Sequence, residues 1–208
     1  MKKFFNDYLN DKIKLEKYQK FGVFAFLLLT SGLFGWIYEF IFYFLNSGMK
    51  VWYMRGGDFL PWINIYAIGA FLILIICSKY KKKPWLIFIL SIVITGLLEY
   101  FSGLVIYKLI GARYWDYNTE IWNFGNIGGF VCLRSVLFFG ISSFLLMYVL
   151  YPMGIYLSRI MNKKVLIVLS IFIVTIIFLD QLYNLVIADL FNLRNAIEVY
   201  KTYGIKYM

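Results

Sequence analysis

The chain has 208 residues, 62% of them hydrophobic and 22% aromatic, and a mean hydropathy of +0.74, which leaves too little polar surface for a soluble globule of this length. Twenty-one Lys and Arg against 11 Asp and Glu give a net charge of +10 with no His, which excludes a His-based zinc site, a Ser-His-acid triad and a Cys-His pair. The class is therefore a polytopic membrane protein.

Residues 1–20 mix Phe4, Phe5, Tyr8, Leu9, Ile13 and Leu15 with six lysines and read as a basic amphipathic helix on the cytoplasmic face, either a docking helix or a solvated, lipid-touching tail. Apolar runs follow at 21–45, 62–78, 85–109, 127–150 and 165–187, each near or above the roughly 20 helical residues that cross a bilayer. The first run is too long for a signal peptide and has no small-residue cleavage site, so it is expected to be a retained helix. On it Gly32, Gly35 and Glu39 share one face, and on the third run Gly96, Glu99 and Gly103 do the same. Small residues flanking a carboxylate let another backbone approach closely and shield the acid from lipid.

The connections at 46–61 and 111–125 carry Arg55, Asp58, Arg113, Asp116 and Glu120, with Trp52, Trp62, Trp115 and Trp122 interleaved as an interfacial belt or as stacking platforms. The other connections are rich in lysine. Six basic residues precede the first run, four lie in 79–83 and three in 159–164, all on one side of a five-helix topology. The positive-inside rule makes that side cytoplasmic, with the N-terminus inside and the C-terminus outside. Attraction to anionic lipid, about 1 kcal/mol per basic residue near the surface, accounts for the excess without nucleic acid. Cys77 and Cys132 fall at opposite ends of their helices and are not expected to pair.

A pattern occurs twice. Glu39, Arg55-Gly56-Gly57-Asp58 and Asn64-Ile65-Tyr66-Ala67-Ile68-Gly69-Ala70-Phe71 match Glu99, Arg113-Tyr114-Trp115-Asp116 and Asn123-Phe124-Gly125-Asn126-Ile127-Gly128-Gly129-Phe130. Both read acid, Arg-x-x-Asp, Asn-x-x-x-Ile-Gly-small-Phe, with Glu-to-Arg spacings of 16 and 14 and Arg-to-Asn spacings of 9 and 10. A partial third copy ends the chain, since Asp180 lies 16 residues beyond Lys164 as Glu99 lies beyond Lys83. That spacing sets the acids about 24 Å up their helices. The expected fold is an all-α transmembrane helical bundle of about five spanning helices. It comprises two tandem parallel helical hairpins (21–78 and 85–150), a partial third repeat at 165–195 and a tail at 196–208.

Ionisable groups inside a membrane are functional candidates by default, which singles out Glu39, Glu99, Arg134 and Asp180. The depth of Arg134 suits pairing to Glu99, Glu39 or Asp180, with Gln181 and Asn184 adding hydrogen bonds. Two readings compete. Either these groups line an outward-facing cavity for a polar or amphipathic ligand, or they form a buried ionic network that fixes the helices. In the first, Arg55, Arg113 and Arg134 contact anions or headgroups, and Glu39, Glu99 and Asp180 are counter-charges or cation ligands. Asp58, Asp116, Asn64, Asn123 and Asn126 then fix the loops. No activated nucleophile, metal or cofactor site is evident, so a non-catalytic role is favoured over an intramembrane enzyme acting on an outer-leaflet lipid. The chain lacks a Gly-x-x-x-x-Gly-Lys-Ser/Thr loop, so any ATP-driven activity requires a separate ATPase subunit.

At Gly35-Trp36-Ile37-Tyr38-Glu39, Arg55-Gly56-Gly57-Asp58-Phe59-Leu60-Pro61, Glu99, Arg113-Tyr114-Trp115-Asp116-Tyr117 and Asn123-Phe124-Gly125 the chain resembles the ABC-transporter type IV membrane family, also called CmpB-like. The Arg-x-Trp-Asp-Tyr element with its Asn-Phe-Gly turn is the most specific part. Where that family has Pro-x-Tyr-Gly, this chain has Asn64-Ile65-Tyr66-Ala67, so the first copy matches more loosely. The resemblance implies a bacterial, multi-pass, permease-like protein. A fainter likeness of the second half to VanZ-type envelope proteins implies a role at the outer face.

Overall fold

The structure, a computed structural model, describes residues 2–206; Met1, at the start of the basic segment, and Tyr207 and Met208, at the end of the tail, lie outside the described residues. Helix makes up 71% of the described residues, and among them there is no strand; Ile127 and Val131 form an isolated bridge. The elements are α1 (Lys2–Leu9), α2 (Lys17–Asn46), α3 (Asn64–Cys77), α4 (Pro84–Ile110), α5 (Leu133–Ile160), α6 (Lys163–Leu190) and α7 (Ala196–Thr202). Helices α2, α4, α5 and α6 are long and apolar enough to cross a membrane, and α3, continued by a tight turn to Tyr80, is a shorter apolar helix. The fold class is the all-α membrane bundle of about five helices that the apolar runs require.

Local chemistry sets the helix ends. Glu16 and Gln19 cap each other's backbone at the start of α2, and Asn162 accepts from the Lys164 amide to open α6. Helix α4 begins on Pro84, whose missing N–H costs nothing there, and stops at Gly111 in the left-handed region. The fourth span departs from the expected 127–150. Gly128 and Gly129 take φ of +61° and +80°, which no α-helix accommodates, so α5 starts at Leu133. It then runs through Pro152 to Ile160. A wider π turn over Leu146–Leu150 absorbs the proline, whose ring and missing N–H would otherwise break the helix.

The helices gather into two compact units, one from residues 2–13 and 68–152 and one from residues 14–67 and 153–206. In the first, α4 packs on α5, with Gly140 facing Phe88 and Ile92, and Gly96 facing Val136. The buried stripe of α4 is Ile87, Ser91, Thr95, Glu99 and Gly103, every fourth residue. Its opposite face exposes Ile89, Val93, Leu97, Phe101, Val105 and Leu109, the last 80% exposed. Polar groups inside and aliphatic ones outside invert a soluble helix, an arrangement that only a lipid solvent favours.

In the second unit α2 packs on α6, Gly22 lying under Leu166. Trp62, Ala67 and Ile177 form its core with Leu28, Leu29, Leu60 and Ile173. Trp62 lies on Gly32, where a Cβ would collide with the indole, and donates from Nε1 to the Leu28 carbonyl at 2.8 Å.

Candidate functional site

Each unit holds one membrane-helix glutamate beneath its Arg-x-x-Asp loop. In the second unit the face formed by Gly32, Gly35 and Glu39 receives three groups in turn. Trp62 covers Gly32, the Tyr66 ring covers Gly35, and Glu39 accepts from Tyr66 Oη at 3.1 Å and from Arg55 Nε at 2.9 Å. Arg55 is buried, its guanidinium 3.9 Å from the centre of the Tyr43 ring, and its carbonyl accepts from Trp36 Nε1 at 3.2 Å. A charge-assisted pair of this kind removes most of the cost of burying both ions.

The rest of that loop is tied to α6. Asp180 accepts from the backbone N–H groups of Phe59 (3.1 Å) and Leu60 (2.8 Å) and from Asn184 Nδ2 (3.0 Å). Gln181 donates to Asp58 at 2.5 Å and lies 3.4 Å from Asn64 Nδ2. Burial pushes the Asp58 carboxyl up to about 7; the Gln181 hydrogen bond opposes the shift and the Asp180 charge adds to it. Helix α7 closes over the same loop, with Tyr200 Oη donating to the Phe59 carbonyl at 2.9 Å and the Met54 amide donating to the Lys206 carbonyl at 2.8 Å. Burial, followed by the Asp180 charge, raises the Tyr200 phenol, so it remains a donor.

In the first unit Glu99 is 5% exposed and accepts from two hydroxyls, Tyr117 Oη at 2.6 Å and Ser135 Oγ at 2.7 Å. The Ser135 oxygen also lies 2.8 Å from the Cys132 carbonyl, so one proton serves two acceptors. Burial foremost, and then the Glu99 charge, hold the Tyr117 phenol well above its ordinary value, which keeps it a donor. Arg134 reaches Glu120 at 2.5 Å, its guanidinium 5.3 Å from the Tyr117 ring. The expected partners of Arg134 were the helix acids. The loop supplies Glu120 instead, because the loop before α5 folds down beside the first turn of that helix.

The second-copy loop is held by its own polar residues. Arg113 donates to the Gly128 carbonyl at 2.7 Å, lies 3.5 Å from Asp116 and stacks on Phe130 at 4.5 Å. Asp116 accepts from the Asn118 amide, Asn123 donates to the Tyr117 carbonyl at 2.8 Å, and Asn126 accepts from the Gly129 amide at 2.8 Å. Gly103 of α4 receives Phe130 and Trp115, and Trp115 Nε1 donates to the Phe130 carbonyl at 2.9 Å.

Of the expected residues, Glu39 and Arg55 are brought together, as are Arg113 with Asp116, and Asp58, Asn64 and Asp180 around Gln181. Sequence reasoning gave no site role to Tyr66, Tyr117 and Ser135, and noted Glu120 only as a loop charge. The two tyrosines carry equivalent hydroxyls, yet Tyr66 follows Asn64 by two positions and Tyr117 precedes Asn123 by six, so the repeat alignment hides their equivalence. Two surface cavities, of about 580 Å³ and about 540 Å³, lie elsewhere. The first is an apolar groove along Val168, Phe172 and Leu179, and the second a polar one near Asn184, Arg194 and Lys201; apart from Asn184, an expected hydrogen-bond donor, neither is lined by a residue expected at the site.

No curated protein and no solved structure matches the chain. A family profile described as "Putative ABC-transporter type IV" matches residues 24–185, more than three quarters of the sequence and both loop-capped glutamates. With four membrane-length apolar helices, this is an integral membrane protein, and it belongs to the ABC-transporter type IV family.

Proposed function

We propose that the chain is a permease-like membrane protein that takes a polar or amphipathic ligand at the loop-capped carboxylates, with Glu99 as the principal contact. The observation that carries the reading is the pair of hydroxyls on Glu99. A hydroxyl or ammonium group of a ligand can replace Tyr117 or Ser135 donor for donor, so the carboxylate never loses its hydrogen bonds in a medium where an unsatisfied polar group is costly. The duplicated acid, Arg-x-x-Asp and Asn-x-x-x-Ile-Gly-small-Phe pattern supports two related half-sites from an internal repeat, with Glu39 paired to Arg55 in one and Glu99 held by hydroxyls in the other.

The lysine-rich segments 79–83 and 159–164 support a cytoplasmic side for these connections, with the Arg-x-x-Asp loops outside. Energy from ATP is then supplied by a separate subunit at the cytoplasmic face. The test is native mass spectrometry of protein extracted gently from its own membrane, comparing wild type with Glu99→Gln. A bound small molecule or lipid lost in Glu99→Gln, with thermal stability retained, supports the reading. A wild type that carries nothing, or a variant that keeps its ligand, overturns it. Single cysteines at 82 and 118 test the orientation, since only the second is to be labelled from outside.

A further inference from the structure

The last turn of helix α1 carries Tyr8, whose side chain is only 1% exposed although it belongs to a short, lysine-bearing helix. Its hydroxyl donates to the Met147 carbonyl at 2.6 Å. Met147 lies in the π turn of α5, where the Tyr151 amide reaches back five residues to the Leu146 carbonyl. The same register assigns the next carbonyl, that of Met147, to the amide of residue 152. Residue 152 is proline and has no N–H. The proline therefore leaves a carbonyl without its helical donor at a fully buried residue, and Tyr8 supplies that donor from a distant part of the sequence.

The groups around Tyr8 fit the same role. Its ring meets Tyr151 edge-on at 5.7 Å and carries the Lys81 ammonium 4.5 Å from its centre. Lys81 also donates to the Tyr8 carbonyl at 3.2 Å, capping the C-terminus of α1, and pairs with Asp11. Tyr148 of the π turn donates to the Lys81 carbonyl at 2.8 Å, and Lys82 donates to Asn10. Burial raises the Tyr8 phenol far above its ordinary value, with Tyr151, Tyr148 and Asp11 adding to the shift, so it remains a donor at any pH the protein meets.

We propose that α1 is a plug for the proline-made notch in α5, its Tyr8 hydroxyl completing the helix at Met147, so that docking of residues 2–13 controls the bend of α5. A docked α1 keeps the π turn closed to water. An undocked α1 leaves the Met147 carbonyl open and lets α5 hinge at Pro152. The far end of the same helix carries Arg134 and Ser135, and thereby the hydrogen bonds of Glu120 and Glu99.

The test is a double-mutant cycle read by hydrogen exchange on the full chain in lipid nanodiscs, using Tyr8→Phe, Pro152→Ala and the pair. Tyr8→Phe keeps the ring and removes only the donor, and is expected to speed exchange about tenfold in residues 2–13 and 144–151, the population equivalent of one buried hydrogen bond. Pro152→Ala restores a backbone N–H to the Met147 carbonyl, whether the turn stays π or relaxes to α, so in that background Tyr8→Phe is expected to change exchange less than twofold. Should Tyr8→Phe alone fail to fold, rescue by Pro152→Ala carries the same meaning. An unchanged Tyr8→Phe protein, or an effect of equal size in both backgrounds, overturns the proposal.

Discussion

The two copies of the Asn-x-x-x-Ile-Gly-small-Phe motif have nearly the same residues and opposite structures. In the first, Asn64 opens α3, and Ile68, Gly69 and Ala70 are ordinary helical residues. In the second, Asn123 to Phe130 forms a loop with Gly125, Gly128 and Gly129 all at positive φ, and the helix begins only at Leu133. Three substitutions account for the difference. Gly125 stands where the first copy has Tyr66, Asn126 where it has Ala67, and Gly129 where it has Ala70. Alanine at two of these positions favours helix; glycine and a turn-capping asparagine favour the loop. The consequence is chemical as well as local. The helical copy presents Tyr66 to Glu39 from a helix, whereas the looped copy leaves Tyr117 and Ser135 to reach Glu99 from the loop and from α5.

The largest way to break the comparison is at Gly129. A Cβ there would collide with Arg113, Asn118 and Asp116 while holding φ near +80°, so Gly129→Ala is expected to destabilise the protein by about 3 kcal/mol, measured by thermal unfolding in detergent. The unequal hydroxyls come next. Tyr117→Phe removes a 2.6 Å donor from Glu99 and is expected to cost about 2 kcal/mol, against about 1 kcal/mol for Tyr66→Phe, because Glu39 retains Arg55. Equal losses would show that the two carboxylates are held alike.

Asp58 supplies a pH-dependent contrast within the first-copy loop. Its folded carboxyl titrates at about 7, above the roughly 3.9 of an unfolded aspartate, so the folded state binds the extra proton. Stability from this group is fully present below about pH 4 and is lost as pH rises through 7, at no more than about 1.4 kcal/mol per pH unit. Unfolding temperatures between pH 5 and 8 should therefore fall with rising pH, and Asp58→Asn should remove that part of the slope. The smallest effect is Ala70→Gly, the mirror of Gly129→Ala. In a helix it is expected to cost only about 0.5–1 kcal/mol, so the same alignment column tolerates the change in one direction and resists it in the other.

Much of the fold was legible residue by residue. The apolar runs announced the long helices, and Pro84 with Gly111 bounded α4. The small-residue faces of α2 and α4 could be read from spacing, although the rings that occupy them could not: Trp62 and Tyr66 on α2, and Phe130 and Trp115 on α4, come from segments whose path the sequence leaves open. The fourth helix was displaced in the reading because an apolar stretch from 127 looks like membrane helix to any hydropathy count. Paired positive-φ glycines and a π turn that accommodates the proline after it are backbone events that hydropathy does not register.

The sequence by itself determined the solvent. Its apolar runs and its charges confined to connections and single helix faces admit no fold but a set of membrane helices, since backbone and ionised groups must be satisfied away from lipid. Tertiary structure decided the partners. Arg134 meets Glu120 rather than a helix acid, Glu99 is held by hydroxyls, Asp180 caps the backbone of a loop, and Tyr8 serves a carbonyl left without its helical donor by a proline 144 residues away. Each of these is a hydrogen bond between groups distant in sequence. Residue type limits which groups can donate or accept, but only the packed chain brings a given donor within 3 Å of a given acceptor.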